Sequence, residues 1–229
     1  MALAVAIAAG SWNGLLVGAF RIQPIVATLI LMVAGRGMAM LITDGQIITF
    51  TEPRLTYIGN GHLLALPFPV WLCGGMLLLT AVLTRRTALG LFIESVGDNQ
   101  TASTYAGVSA STVKFFVYVF SGFCAGLAGL VAASNIKCAD SNHAGLFLEL
   151  DAILAVVVGG TLLTGGRFYL VGAIVGALFI QTLTTTMYMR NVSADVAPVP
   201  KALAILVVCL FQSPAARKRF AGFLKWRSA

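Results

Sequence analysis

The apolar runs of this chain leave it few ways to fold. Stretches near 1–20, 24–43, 67–84, 115–134, 151–164, 168–189 and 201–212 carry almost no charge, and polar segments separate them. An apolar run of about 20 residues crosses a bilayer as a helix, because a helix pairs every backbone group inside its own segment. Of 229 residues, 59% are hydrophobic and 10% charged. A soluble domain would be roughly a quarter charged. The expected fold is all-α: a polytopic membrane helical bundle over 1–229, forming a single transmembrane domain.

The net charge of +7 could indicate nucleic acid, but the cations sit beside apolar spans, where they orient a chain in a bilayer. One set of segments holds Arg21, Arg85, Arg86, Lys114, Arg167 and the tail residues Arg217, Lys218, Arg219, Lys225 and Arg227, against Glu94 and Asp98. The other set holds Arg54, Lys137, Arg190 and Lys201 against the six remaining acids. This asymmetry predicts seven crossings, with the start outside and the tail from Ser213 in the cytoplasm. The tail cations are expected to lie on anionic lipid headgroups.

The longest polar island, 85–114, reads RRTALGLFIESVGDNQTASTYAGVSASTVK. Cations bracket it, which marks a cytoplasmic loop. Asp98 or Asn99 can cap a short helix running to about Ala106, and Gly107 suits the position after it. A helix this short is marginal alone and needs a surface to dock on. Ala102 and Ala106, four residues apart, share one face. Small side chains there would let the helix enter a groove of another protein, with Glu94, Tyr105 and the cap at the rim. The alternative is an ordinary connecting loop with a capped turn.

Polar groups at membrane depth pack against neighbouring helices or line a path. Asn13, Thr28 and Gln181 are the candidates for a pathway. Arg36 lies within the second run, between Gly35 and Gly37, which would admit another backbone. Gly122, Gly126 and Gly129 have the spacing of close helix packing. Gly159-Gly160 and Gly165-Gly166 in a short apolar segment point to a broken or re-entrant helix, with a helix end and a tight turn. Asp44 to Leu66 and Asn135 to Leu150 read as polar loops on the outside.

Some chemistry has no motif here. The sequence has no GxxxxGK[ST] phosphate loop, so no cofactor, ATP included, is expected on this chain. The four cysteines, Cys73, Cys124, Cys138 and Cys209, show no metal-ligand or disulfide spacing. His62 and His143 lie in loops and read as solvated, without an acid–base partner. No catalytic constellation is visible, so the chain is not read as an enzyme, and no metal site is expected.

Three stretches together resemble bacterial sugar-type ABC transporter permeases of the ribose, xylose and galactose group. The first is Gly97-Asp98-Asn99-Gln100-Thr101-Ala102, then Tyr105-Ala106-Gly107-Val108 and Lys114. The second is Pro24, Ala27, Thr28, Leu29, Arg36 and Gly37. The third is ELDAILAVVVGGTLLTGGRFYLVGAIVGAL, in which the family's usual GGxG reads Gly165-Gly166-Arg167-Phe168. The resemblance implies a permease subunit of an ATP-driven sugar importer in the bacterial inner membrane. It implies a second permease subunit as partner, a cytoplasmic ATPase that binds the ATP, and a periplasmic sugar-binding protein. The ATPase-coupling residues would be Glu94, Gly97, Asp98, Asn99, Ala102, Tyr105, Ala106 and Gly107. Family members usually carry further spans upstream, so the chain is expected to be the C-terminal two-thirds of a subunit. Two rival readings are a permease for branched-chain amino acids and a transporter or channel that works without an ATPase.

Overall fold

Prolines set where three helices begin. Pro24 opens α2 (Pro24–Thr43), Pro53 opens α3 (Pro53–Asn60), and Pro69 lies in the first turn of α4 (Phe68–Arg85). The first turn tolerates proline because its N–H has no helical acceptor. The computed structural model describes residues 1–63, 66–161, 165–191, 196, 199–203 and 206. The basic tail from Ser213 and most of the run 201–212 lie outside the described residues. The chain is an all-α helical bundle, and it forms two compact units, Met1–Leu146 and Phe147–Ala229.

The first unit is built on α1 (Ala2–Gly18) and α7 (Ala110–Ile136), which run antiparallel in contact. Glycines make that contact. A Cβ on Gly10 would sit 2.6 Å from the Tyr118 carbonyl oxygen, and one on Gly18 would sit 2.9 Å from that of Ser111. From the other side, a Cβ on Gly122 would sit 2.7 Å from the Ala6 carbonyl oxygen. Close backbone approach of this kind drives helix association where there is no water to expel. Gly129, expected to share this role, has no neighbour within 4 Å of its Cβ position. Gly35 and Gly37 are equally open, so no backbone of the described residues approaches them.

Helices α2 and α4 keep most of their apolar side chains on the surface, with Ala27 the buried residue of α2. In a bilayer such faces meet lipid or another helix. The two polar loops meet at one end of this unit. Strand β1 (Ile48–Thr49) pairs antiparallel with β4 (Cys138–Ala139), Ile48 opposite Ala139. Strands β2 (His62–Leu63) and β3 (Leu66–Pro67) form a second short pair. Helix α3 lies in a segment expected to be irregular. It is clipped to the end of α7 by the buried Ser134, whose hydroxyl donates to the Leu55 carbonyl and accepts from the Gly59 N–H at 2.7 Å.

Two of the apolar helices are short. Helix α1 has 17 residues and α8 (Leu148–Val158) has 11. At 1.5 Å per residue these reach about 26 and 17 Å, against a hydrocarbon core of about 30 Å. Among the described residues, α2, α4, α7 and α9 (Leu170–Met189) are long and apolar enough to cross.

The second unit explains why α8 stops. Gly159 caps it, and Gly160 follows at φ +86°, a left-handed conformation that costs side-chain-bearing residues about 1–2 kcal/mol. Gly165 and Gly166 are also left-handed, at φ +99° and +92°. Helix α8 then packs antiparallel on α9 through bare backbone. A Cβ on Gly159 would strike the backbone of Gly172, and one on Gly176 would strike the carbonyl of Ala155. At the far end of α8, Lys201 Nζ donates to Asp151 Oδ2 at 2.8 Å.

Candidate functional site: the helical loop between α4 and α7

The polar island folds as two helices, α5 (Ala88–Asp98) and α6 (Gln100–Tyr105). The first was not expected. Its signal is present in the sequence: Leu89, Phe92, Ile93 and Val96 fall at i, i+3, i+4 and i+7, one stripe of a helix. Thr87 caps it, accepting from the Leu89 N–H at 3.3 Å. Val96 is buried with Ala110 and Val113 of α7, and Phe92, Ile93 and Val108 pack around them. Burial of one such aliphatic side chain is worth roughly 2 kcal/mol. The island thus carries a small core of its own against the start of α7.

That core positions α6. The cap is Asn99, whose Oδ1 accepts from the Ala102 N–H at 3.0 Å. Asp98 is the last residue of α5 and does not cap. The reason is spacing: from Asn99 the carboxamide reaches the third following amide, whereas Asp98 still has the helical geometry of the preceding element. Two bonds close the other end. The Val108 N–H donates to the Ser103 carbonyl at 3.0 Å, and the Gly107 N–H to the Thr104 carbonyl at 3.1 Å. Gly107 has φ +85°, as this Schellman closure requires. Ser103 is the buried residue of α6, and Lys114 Nζ donates to Gln100 Oε1 at 2.7 Å.

These contacts leave one face of α6 free. Ala102, Tyr105 and Ala106 are exposed, Tyr105 at 88%. Gly97 and Asp98 are exposed at the end of α5, and Glu94 is half-buried. The structure therefore brings the eight expected coupling residues onto two consecutive helices and the residues that cap α6, at one end of the first unit. Arg21 and Lys114 are at that same end, where they line a common cavity.

The expected pathway residues lie on α1, α2 and α9. Asn13 is 7% exposed on the face of α1 that packs on α7, and its Oδ1 has no hydrogen-bond partner among the described residues. Thr28 donates to the carbonyls of its own helix at Pro24 and Ile25. It lines a cavity of about 510 Å³ with Arg36, Asp140 and Ser141. Gln181 is exposed on α9, in the second unit. Arg36 forms no ion pair or hydrogen bond among the described residues.

His143 departs from expectation. It has an acidic partner, Asp140, whose Oδ2 lies 3.0 Å from Nδ1. Asp140 Oδ1 also accepts from the Asn142 and His143 N–H groups, at 2.8 and 3.2 Å. Chiefly the Asn142 N–H, with His143 behind it, holds this carboxyl below its ordinary range. A three-residue spacing in a loop gave no warning of the pair.

Long apolar helices joined by a cation-flanked helical loop define a multi-pass membrane protein. Residues 1–211 match the family described as the permease component of branched-chain amino acid transport systems, and the chain belongs to that family. It is similar to the galactofuranose transporter permease protein YtfT of Escherichia coli (strain K12), 51% identical over 98% of this chain and 64% of that protein. The fructose import permease protein FruF of Bifidobacterium longum is 41% identical over 93% of this chain and 61% of its own length. The ribose import permease protein RbsC of Haemophilus influenzae is 36% identical over 88% and 63%. The chain thus spans a little under two thirds of the length of these relatives. No solved structure matches it.

Proposed function

We propose that this chain is the membrane-spanning part of a permease subunit in an ATP-driven sugar importer of the bacterial inner membrane. It contributes to the translocation pathway as one of two permease subunits. A separate ATPase docks on α5 and α6 from the cytoplasm and supplies the ATP site. A periplasmic binding protein delivers the sugar at the opposite end. The C-terminal tail is cytoplasmic in this reading. The observation that carries it is α6: six residues held at both ends and from below, with Ala102, Tyr105 and Ala106 turned outward.

Galactofuranose is the first substrate to test, supported by 51% identity to a permease named for that sugar. The family description names branched-chain amino acids instead, so leucine belongs in the same panel. The test is the full-length subunit purified with its ATPase and binding protein, with hydrolysis measured against galactofuranose, ribose, fructose and leucine. Stimulation by a sugar supports the reading, and stimulation by leucine alone overturns it. Ala102→Trp is expected to lose the ATPase on co-purification, because an indole cannot enter a groove shaped for a methyl group. Full retention of the ATPase and of stimulation in that variant would remove α6 as the coupling element.

A further inference from the structure

A cavity of about 270 Å³ lies where the end of α1, helix α6 and the start of α7 meet. Arg21, Lys114, Gln100, Thr104, Ser109 and Ser111 line it, and no acid among the described residues does. Two cations facing one cavity without an anion repel each other, and they repel less when an anion sits between them. We propose that this cavity binds the phosphate of an anionic phospholipid headgroup.

The donors are available for such a ligand. The Arg21 guanidinium has no partner among the described residues, and its five N–H groups suit phosphate oxygens. Lys114 spends one of three N–H donors on Gln100, which leaves two. The Ser111 hydroxyl donates to nothing among the described residues. Thr104 already donates to the Gln100 carbonyl, so it contributes only an acceptor.

Placement selects a lipid rather than a protein carboxylate. Gln100 and Thr104 lie one helical turn apart on the face of α6 toward the cavity. Ala102, Tyr105 and Ala106 fall on the opposite face, the one free for a protein partner. The cations also adjoin exposed apolar side chains. Phe20 precedes Arg21 and is 72% exposed, and Phe116 lies two residues beyond Lys114. Basic pockets between membrane helices at headgroup level hold anionic lipids in this manner. The volume is below that of pockets for drug-sized ligands, which suits a headgroup whose acyl chains stay in the bilayer. The site does not depend on the transport reading, and on the proposed orientation it faces the cytoplasmic leaflet.

The test uses the full-length chain in detergent, titrated with phosphatidylglycerol and, separately, phosphatidylcholine, with bound lipid counted by native mass spectrometry. One phosphatidylglycerol is expected to bind to wild type in preference to phosphatidylcholine. Each cation near a membrane surface is worth about fivefold in affinity, so the double variant Arg21→Gln/Lys114→Gln should bind about thirtyfold more weakly. Lys114→Gln alone should lose about fivefold, and Lys114→Arg should restore it, which serves if the double variant does not fold. Equal phosphatidylglycerol binding in wild type and Lys114→Gln overturns the proposal. So does displacement of the lipid by millimolar inorganic phosphate, which marks a free-anion site. Release of the ATPase from the variants with lipid binding unchanged also overturns it, because the cavity is then a protein contact.

Discussion

Asn99→Ala and Asp98→Ala separate two placements of one helix cap. In the structure only Asn99 reaches an amide, accepting from Ala102 N–H at 3.0 Å. Loss of such a cap costs about 1 kcal/mol, which is a factor of about five in the closed-to-open ratio of the helix. Helix α6 has six residues and little cooperativity to absorb the loss. It is otherwise held by the Gln100–Lys114 bond, the buried Ser103 and the two bonds at Gly107 and Val108. Hydrogen exchange should therefore quicken about fivefold at Ala102 and Ser103 in Asn99→Ala, and at Ala106 if the helix opens as a unit. Asp98→Ala should leave all three amides within experimental error, since Asp98 bonds to none of them. ATPase docking should fall in parallel with the loss of α6. Equal acceleration in both variants, or none in Asn99→Ala, would show that the cap does not hold this helix and would refute the argument.

Three further outcomes follow from the packing and the loops. Gly159→Val should reduce the amount of folded protein recovered more than Gly160→Val does. The first drives a side chain into the Gly172 backbone, whereas the second meets open space and only the strain of φ +86°. Ser134→Ala should cost about 1 kcal/mol for each hydrogen bond lost between α7 and α3, and a lowered melting temperature would report it. The Asp140 carboxyl is held below its ordinary range, so the turn it stabilises should be intact above about pH 4 and should loosen as pH falls through the depressed value. Limited proteolysis at 140–143 between pH 6 and pH 3 should show that acid sensitivity in wild type and not in Asp140→Ala.

Much of this architecture is local and therefore legible in the sequence. A bilayer asks for long apolar runs, and α2, α4, α7 and α9 meet that demand with residues contiguous in the chain. Proline at a first turn and glycine at Gly107 act within a few residues of themselves, so those helix ends could be read directly. The double glycines announced the end of α8 for the same reason. The apolar stripe of α5 is equally local, although Arg85, Arg86 and Asp98 around it give the segment the composition of a loop.

What a glycine faces is a different matter. Gly122 and Gly129 belong to one helix and one spacing pattern, yet a Cβ on the first would strike α1 and one on the second would meet no atom of the described residues within 4 Å. Gly10, Gly14 and Gly18, spaced four apart on α1, make the other half of that contact. The rotation of α7 about its axis decides which of its residues meet α1, and that rotation is set by side chains roughly a hundred positions away. Ser134 becomes a latch only because α3 comes to it, and Arg21 and Lys114 share a cavity only because α1 ends beside the start of α7. Apolar runs and flanking charges, both local, were enough to read a bundle of membrane helices with a cation-flanked polar loop. Which faces touch is settled by three-dimensional packing, because contact free energy depends on both partners and a sequence position specifies one.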